Sequence, residues 1–149
     1  MYSFLLSLHN ITRWLAFVAL VLAVFKAAVN LKNRKGFTPF DNQLRHLTAT
    51  FFHLQLVIGI WLYMQSPLAK SGIQHLDTAD DWFFGLLHPF MMLTAIVLVT
   101  IGSSVSKRQI PDKQYALMLK WYTIVLLIIL LMIPWSFSPL VSRPLLRTF

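Results

Sequence analysis

The chain has 149 residues, 57% of them hydrophobic and 12% charged, about half the roughly 25% charged residues of an ordinary soluble domain. Mean hydropathy is +0.65, and 13 Lys and Arg against 5 Asp and Glu give a net charge of +8. Too few polar groups are present to dress a soluble globule, and 5 Gly with no Cys exclude collagen-like, disulfide-stapled, thiolate-metal, iron–sulfur and c-type haem classes.

The length suits a single domain, residues 1–149, embedded in lipid. In such a chain the positive excess is a topology signal and an attraction to anionic headgroups, not a nucleic-acid footprint. Four apolar segments, about Phe4–Leu31, Leu44–Met64, Trp82–Ser103 and Tyr115–Trp135, each approach or exceed the ~20 residues that cross a hydrocarbon core. Lipid offers no partner to free backbone amides, so each is expected to be an α-helix. Short connections then predict an all-α, transmembrane four-helix up-and-down bundle.

The first span carries His9 and Arg13 near its start and shares their helical face with Thr12, Ala16, Ala23 and Ala27. Such a stripe admits a flat group, and it equally suits plain small-residue helix packing. Lys26 lies near the far end, where its stem can carry the ammonium to the headgroups. The basic cluster follows the apolar core instead of preceding it, so this span is expected to be retained and not cleaved as a signal peptide.

The first connection holds Lys32, Arg34, Lys35 and Arg45 at its edge, and the third holds Lys107, Arg108, Lys113 and Lys120. By the positive-inside rule both face the cytoplasm of a bacterial inner membrane, with both termini outside. Arg143 and Arg147 argue mildly against this orientation. In the second span His46 reads as interfacial, whereas His53 falls close to the midplane, roughly 16 Å from the outer boundary at ~1.5 Å per residue. A neutral imidazole there needs a hydrogen-bond partner or a metal.

The second connection carries His75 and Asp77, Asp80 and Asp81, read as a solvated acidic loop. In the third span Gly85, His88, Met92, Ala95 and Gly102 align on one face. Pro89 follows His88 directly, frees a carbonyl one turn earlier and predicts a kink there. The fourth span has little polar beyond Tyr122 and Thr123 and reads as a packing helix. Trp14, Trp61, Trp82, Trp121 and Trp135 are expected as anchors at the headgroup level.

His9 and His88 lie ~7 and ~9 Å below the outer surface by the same rise, with His53 deeper. Ionisable groups inside spans are functional candidates by default. Membrane bundles hold haem b between imidazoles of two helices, with a cation meeting the propionates. His9, His53 and His88 are therefore the candidate axial ligands, two per haem, and Arg13 the candidate propionate partner. Met91 or Met92 could serve as a thioether ligand. Rival readings are a three-imidazole zinc or copper site and histidines that bond helix to helix or subunit to subunit with no cofactor.

The run Leu8-His9-Asn10 with Arg13-Trp14, then His53-Leu54-Gln55 through Gly59 and Tyr63 to Ser66-Pro67, then His88-Pro89 with Met92, and finally Pro134-Trp135, resembles short bacterial four-span proteins labelled cytochrome b-like. The resemblance spans nearly the whole chain and implies a haem-b membrane protein with His9, His53 and His88 at the family's histidine positions. Electron transfer between membrane quinol and a partner is the expected function. The alternative is a cofactor-free structural or accessory subunit of a larger membrane complex or homo-oligomer.

Overall fold

The computed structural model describes residues 1–135 and 141; Arg143 and Arg147 lie outside them. These residues form α1 (Tyr2–Lys32), α2 (Pro39–Gln65), a short α3 (Pro67–Gln74), α4 (Ala79–Lys107) and α5 (Pro111–Met132). All but α3 are long and apolar enough to cross a membrane. Helix α1 packs against α2 and α5, and α4 packs against the same two. Sequence neighbours are thus spatial neighbours in an up-and-down bundle, with α1 and α4 on one diagonal.

Capping residues move the helix boundaries away from those that hydropathy alone suggests. Helix α2 begins at Pro39, five residues before the expected Leu44, because Thr38 and Asp41 form a reciprocal capping box and Pro39 occupies the first helical turn. Ser66 and Thr78 cap α3 and α4 through their hydroxyls alone, accepting from Ala69 N and Asp81 N. The expected acidic loop is accordingly part helix, and Asp81 is buried at the start of α4. Helix α1 ends where Arg34 adopts φ 51°, and Lys35 N–H returns to Asn30 O at 2.9 Å in a Schellman closure. Helix α5 stops at Met132, short of the expected Trp135, ahead of Pro134.

The core runs along the bundle axis through Leu20, Ala23, Ala27, Ala95, Val99, Tyr122 and Val125. Ala23 and Ala27 are fully buried there, so these members of the small-residue stripe serve helix packing. Gly102 does the same for α4 and α5: a Cβ on it would collide with Trp121, 2.9 Å from Cγ. Trp121 therefore also packs between these helices. Trp14 likewise stacks edge-on against Phe17 and Trp135 at 5.8 and 6.3 Å, while Trp61 and Trp82 are exposed. Phe25, Val57, Leu93, Val97, Leu127 and Leu131 are exposed and clothe the bundle for lipid.

At the end that carries the basic connections, a buried polar clamp ties the four long helices. Asp41 accepts from Tyr115 Oη at 2.5 Å and Thr38 N at 2.9 Å and pairs with Lys26 Nζ at 3.0 Å. Asn30 Nδ2 donates to the same tyrosine oxygen at 2.8 Å. Lys26 is thus an ion-pair member and not merely a snorkelling cation. Arg45, expected at a loop edge, is buried and donates to Ser103 O at 2.7 Å, to Ser103 Oγ and to Asn42 Oδ1 at 2.8 Å. Tyr122 Oη closes the seam on Arg45 O at 2.8 Å, so the fourth crossing carries two of the clamp's hydroxyls.

The kink expected at Pro89 takes the form of a wide turn. Residues Phe83–Leu87 are π-helical, and His88 N–H reaches back five residues to Phe83 O. Proline lacks the N–H that would bond Gly85 O, and Tyr63 Oη of α2 donates to that carbonyl at 2.6 Å. On its other side Gly85 meets α3, where a Cβ would lie 2.7 Å from Gly72 Cα. Only a glycine pair allows this approach, which seats α3 against the bundle end.

Candidate functional site

Beneath α3 lies a cavity of about 380 Å³, within the range of small-ligand and cofactor sites. Its walls come from the first half of α1, the last half of α2, the start of α4 and the end of α5, with Leu68 and Ala69 of α3 above. Phe17, Leu56, Phe84, Met92, Ile96 and Met132 make it largely apolar. The convergent polar groups are His9, Asn10, Arg13, Gln55, Tyr63, Ser66 and His88.

His9 and Arg13 line the cavity from α1, and His88 lines it from α4 across the bundle diagonal. The guanidinium of Arg13 also sits 5.5 Å from the Trp14 ring. His53 is not brought to them. It is exposed on α2 and shares a 3.0 Å hydrogen bond with Thr100 Oγ1 of α4, because it lies two residues from Gln55 and so roughly 200° around the helix. Met92 lines the cavity, whereas Met91 packs in a cluster with Phe83 and Met132. His46 and His75 are exposed. Among the described residues no three His, Cys, Asp or Glu side chains come together to hold a metal ion, so the three-imidazole zinc or copper site is not formed.

Gln55 is a site residue that sequence reasoning misses, and it organises the α1 wall. Its carbonyl oxygen lies in contact with Thr12 Oγ1, which also donates to Leu8 O at 2.8 Å, and Nε2 donates to His9 O at 3.0 Å. The same Nε2 lies 3.2 Å from each His9 ring nitrogen. Gly59 faces the His9 ring, where a Cβ would come to 3.4 Å from Cε1, an ordinary contact. The available signal was a lone amide near mid-span, a group that lipid does not satisfy. On the far wall the buried His88 imidazole meets the Met132 backbone carbonyl, and the Phe83 and Phe84 rings lie 5.6 and 6.3 Å from it.

A cavity with an imidazole from each of two diagonal helices, an arginine on one wall and apolar sides elsewhere can hold a flat, largely apolar group with an anionic edge. Nitrogen donors suit a transition metal at its centre.

Comparison with known proteins adds a coarse frame. The chain is 26% identical over 124 residues to a UPF0344 protein of Staphylococcus saprophyticus, covering 83% of this chain and 85% of that one. No family model matches, and no solved structure matches. The relative's name says nothing of haem, so the cytochrome b-like reading rests on this chain's own residues. Four apolar helices and a bacterial relative together describe a small multi-pass membrane protein of bacterial type.

Proposed function

We propose that this chain is a haem-b-binding membrane protein that passes electrons between quinol and a partner in the bacterial cytoplasmic membrane. The observation that supports it is the meeting of His9 and His88, from diagonal helices, on one apolar cavity with Arg13 in the same wall. The buried His88 ring, bonded to the Met132 backbone carbonyl, fits the group, because an imidazole fixed through one nitrogen can offer the other to a metal. His9 and His88 would hold the iron and Arg13 would meet a propionate.

Bound haem b supplies one-electron exchange at iron. The protein's own part is to orient His9 through Gln55, to exclude water with α3 and the phenylalanine walls, and to offset anionic charge with Arg13. Further membrane subunits or a second copy are natural partners for so small a carrier, and the basic connections are proposed to face the cytoplasm with both termini outside.

A reduced-minus-oxidised absorbance spectrum of the purified full chain, produced with haem supplied, tests the reading. A Soret band is expected that is lost in His9→Ala and in His88→Ala and kept in His53→Ala. A chain without pigment that copurifies with a stoichiometric membrane partner would replace this reading by that of a cofactor-free accessory subunit.

A further inference from the structure

The cavity of His9 and His88 is roofed at one end and open at one side. Leu68 and Ala69 of α3 lie above it, and the close contact of Gly72 with Gly85 seats that helix. Its α1 and α5 walls are made of buried and half-buried residues. Among the described lining residues only Ile60 of α2 and Leu93 of α4 are exposed, at 53% and 50%. Both belong to the same seam of the bundle.

The residue pattern shows how that seam is built. His53, Leu56, Ile60 and Tyr63 recur at i, i+3, i+7 and i+10 and form one stripe of α2. Pro89, Leu93, Ile96 and Thr100 form the facing stripe of α4. Hydrogen bonds pin the seam at two levels, His53 to Thr100 at 3.0 Å and Tyr63 to Gly85 O at 2.6 Å. Between them run ten residues of α2, about 15 Å at ~1.5 Å per residue. In this interval Leu56 and Ile60 on one side and Pro89, Leu93 and Ile96 on the other are all apolar, and all line the cavity. The interior thus reaches the seam. Side chains zipped across it would bury one another, whereas half-exposed Ile60 and Leu93 leave a window between the two hydrogen bonds.

We propose that the cavity takes its ligand from the bilayer through this window, and that the ligand is an amphiphile with a carboxylate edge. An apolar opening on the lipid-facing side admits a molecule already dissolved in lipid. Arg13 and His9 stand on α1, which packs against α2 and α5 and so lies across the bundle from α4. The anionic edge therefore goes inward to Arg13, and the apolar body fills the window. That this amphiphile is haem b rests on the electron-carrier reading. Entry from the bilayer does not.

The chain has no cysteine, so labels can be placed at single chosen sites of the full chain in nanodiscs. A nitroxide on Leu56→Cys, at the window, is compared with one on Val57→Cys, which is exposed on the bundle surface. Dissolved oxygen, which concentrates in lipid, is expected to relax both alike, and a water-soluble nickel chelate to reach neither. Relaxation of the Leu56 label by the chelate, or its shielding from oxygen, would overturn the proposal. Passage is then followed with two carboxylate probes supplied in the same bilayer, metal-free protoporphyrin IX read by fluorescence and a long-chain fatty acid with a photoreactive tail read by adducts in the cavity wall. A cleavable bismaleimide joining Ile60→Cys to Leu93→Cys is expected to abolish uptake, and cutting the bridge to restore it. Uptake that ignores the bridge, or a parent chain that admits neither probe, would overturn the proposal. A parent that admits the fatty acid and refuses the porphyrin would instead defeat the haem reading and leave the lateral entrance standing.

Discussion

Tyr63 donates its hydroxyl to the Gly85 carbonyl across 2.6 Å, supplying the hydrogen bond that Pro89 withholds from its own helix. One aromatic residue of α2 thereby stabilises the wide turn of α4 that leads into His88. Tyr63→Phe leaves a buried carbonyl without its donor and is expected to cost about 1–3 kcal/mol. The fall in unfolding midpoint of the purified protein in detergent measures it. Adding Pro89→Ala to that variant should recover part of the loss by restoring a backbone N–H, and no recovery would show that Tyr63 acts through packing alone.

Gly102 and Gly36 make a matched pair for the packing argument. A side chain at Gly102 runs into Trp121, while a Cβ at Gly36 would meet nothing within 4 Å. Gly102→Ala is expected to destabilise by about 1–3 kcal/mol through forced separation of α4 and α5. Gly36→Ala should stay within roughly 0.5 kcal/mol of the parent. Equal melting temperatures for the two variants would contradict the close approach of these helices.

The clamp at the basic end predicts an unequal response from its members. Asp41 is buried, whereas the Lys26 side chain is 34% exposed, so solvent can take over the lysine's charge but not the aspartate's contacts. Asp41→Ala removes the carboxylate half of the α2 capping box, leaves Lys26 without its acceptor and leaves Tyr115 only the longer bond to Gly36 O at 3.3 Å, for an expected loss of about 3 kcal/mol. Lys26→Met should lose no more than about 1 kcal/mol. Thermal unfolding in detergent ranks them, and the reverse order would place the anchor on the lysine.

Gln55 is a positioning residue for His9. In the haem-loaded protein, Gln55→Leu is expected to retain the pigment while moving the midpoint potential and broadening the Soret band, because the imidazole loses its fixed neighbour. Gln55→Glu, which keeps an oxygen beside Thr12, should fall between parent and Leu variant. A potential that does not move would reduce Gln55 to a helix-packing residue.

The number and order of crossings were legible in the sequence because twenty-residue apolar runs have no other stable home. So was the placing of His9 and His88 on one cavity, since equal depth on two helices is arithmetic on helical rise. His53 stays apart from them because depth says nothing about azimuth: Gln55, two positions on, takes the inward face. The early start of α2 was written in Thr38-Pro39-Phe40-Asp41, a capping signal that a hydropathy reading passes over. Tyr115 and Tyr122 looked like packing residues because a hydroxyl partner on another crossing leaves no trace in local pattern. Neither does the contact of Gly72 with Gly85, which joins a connection to a span.

The extra residue accommodated at Phe83–Leu87 also sets an angular offset within one crossing. Everything ahead of it, Asp81 and Trp82 included, is rotated by about 100° relative to where an unbroken helix would aim it. A single deletion in that stretch would redirect the first turns of the crossing away from the glycine seat of α3 while leaving Met92 and Ala95 in register. A helical wheel drawn through residue 85 therefore assigns the wrong compass bearing to one side or the other, and homologous chains one residue shorter there should lack the seat as well.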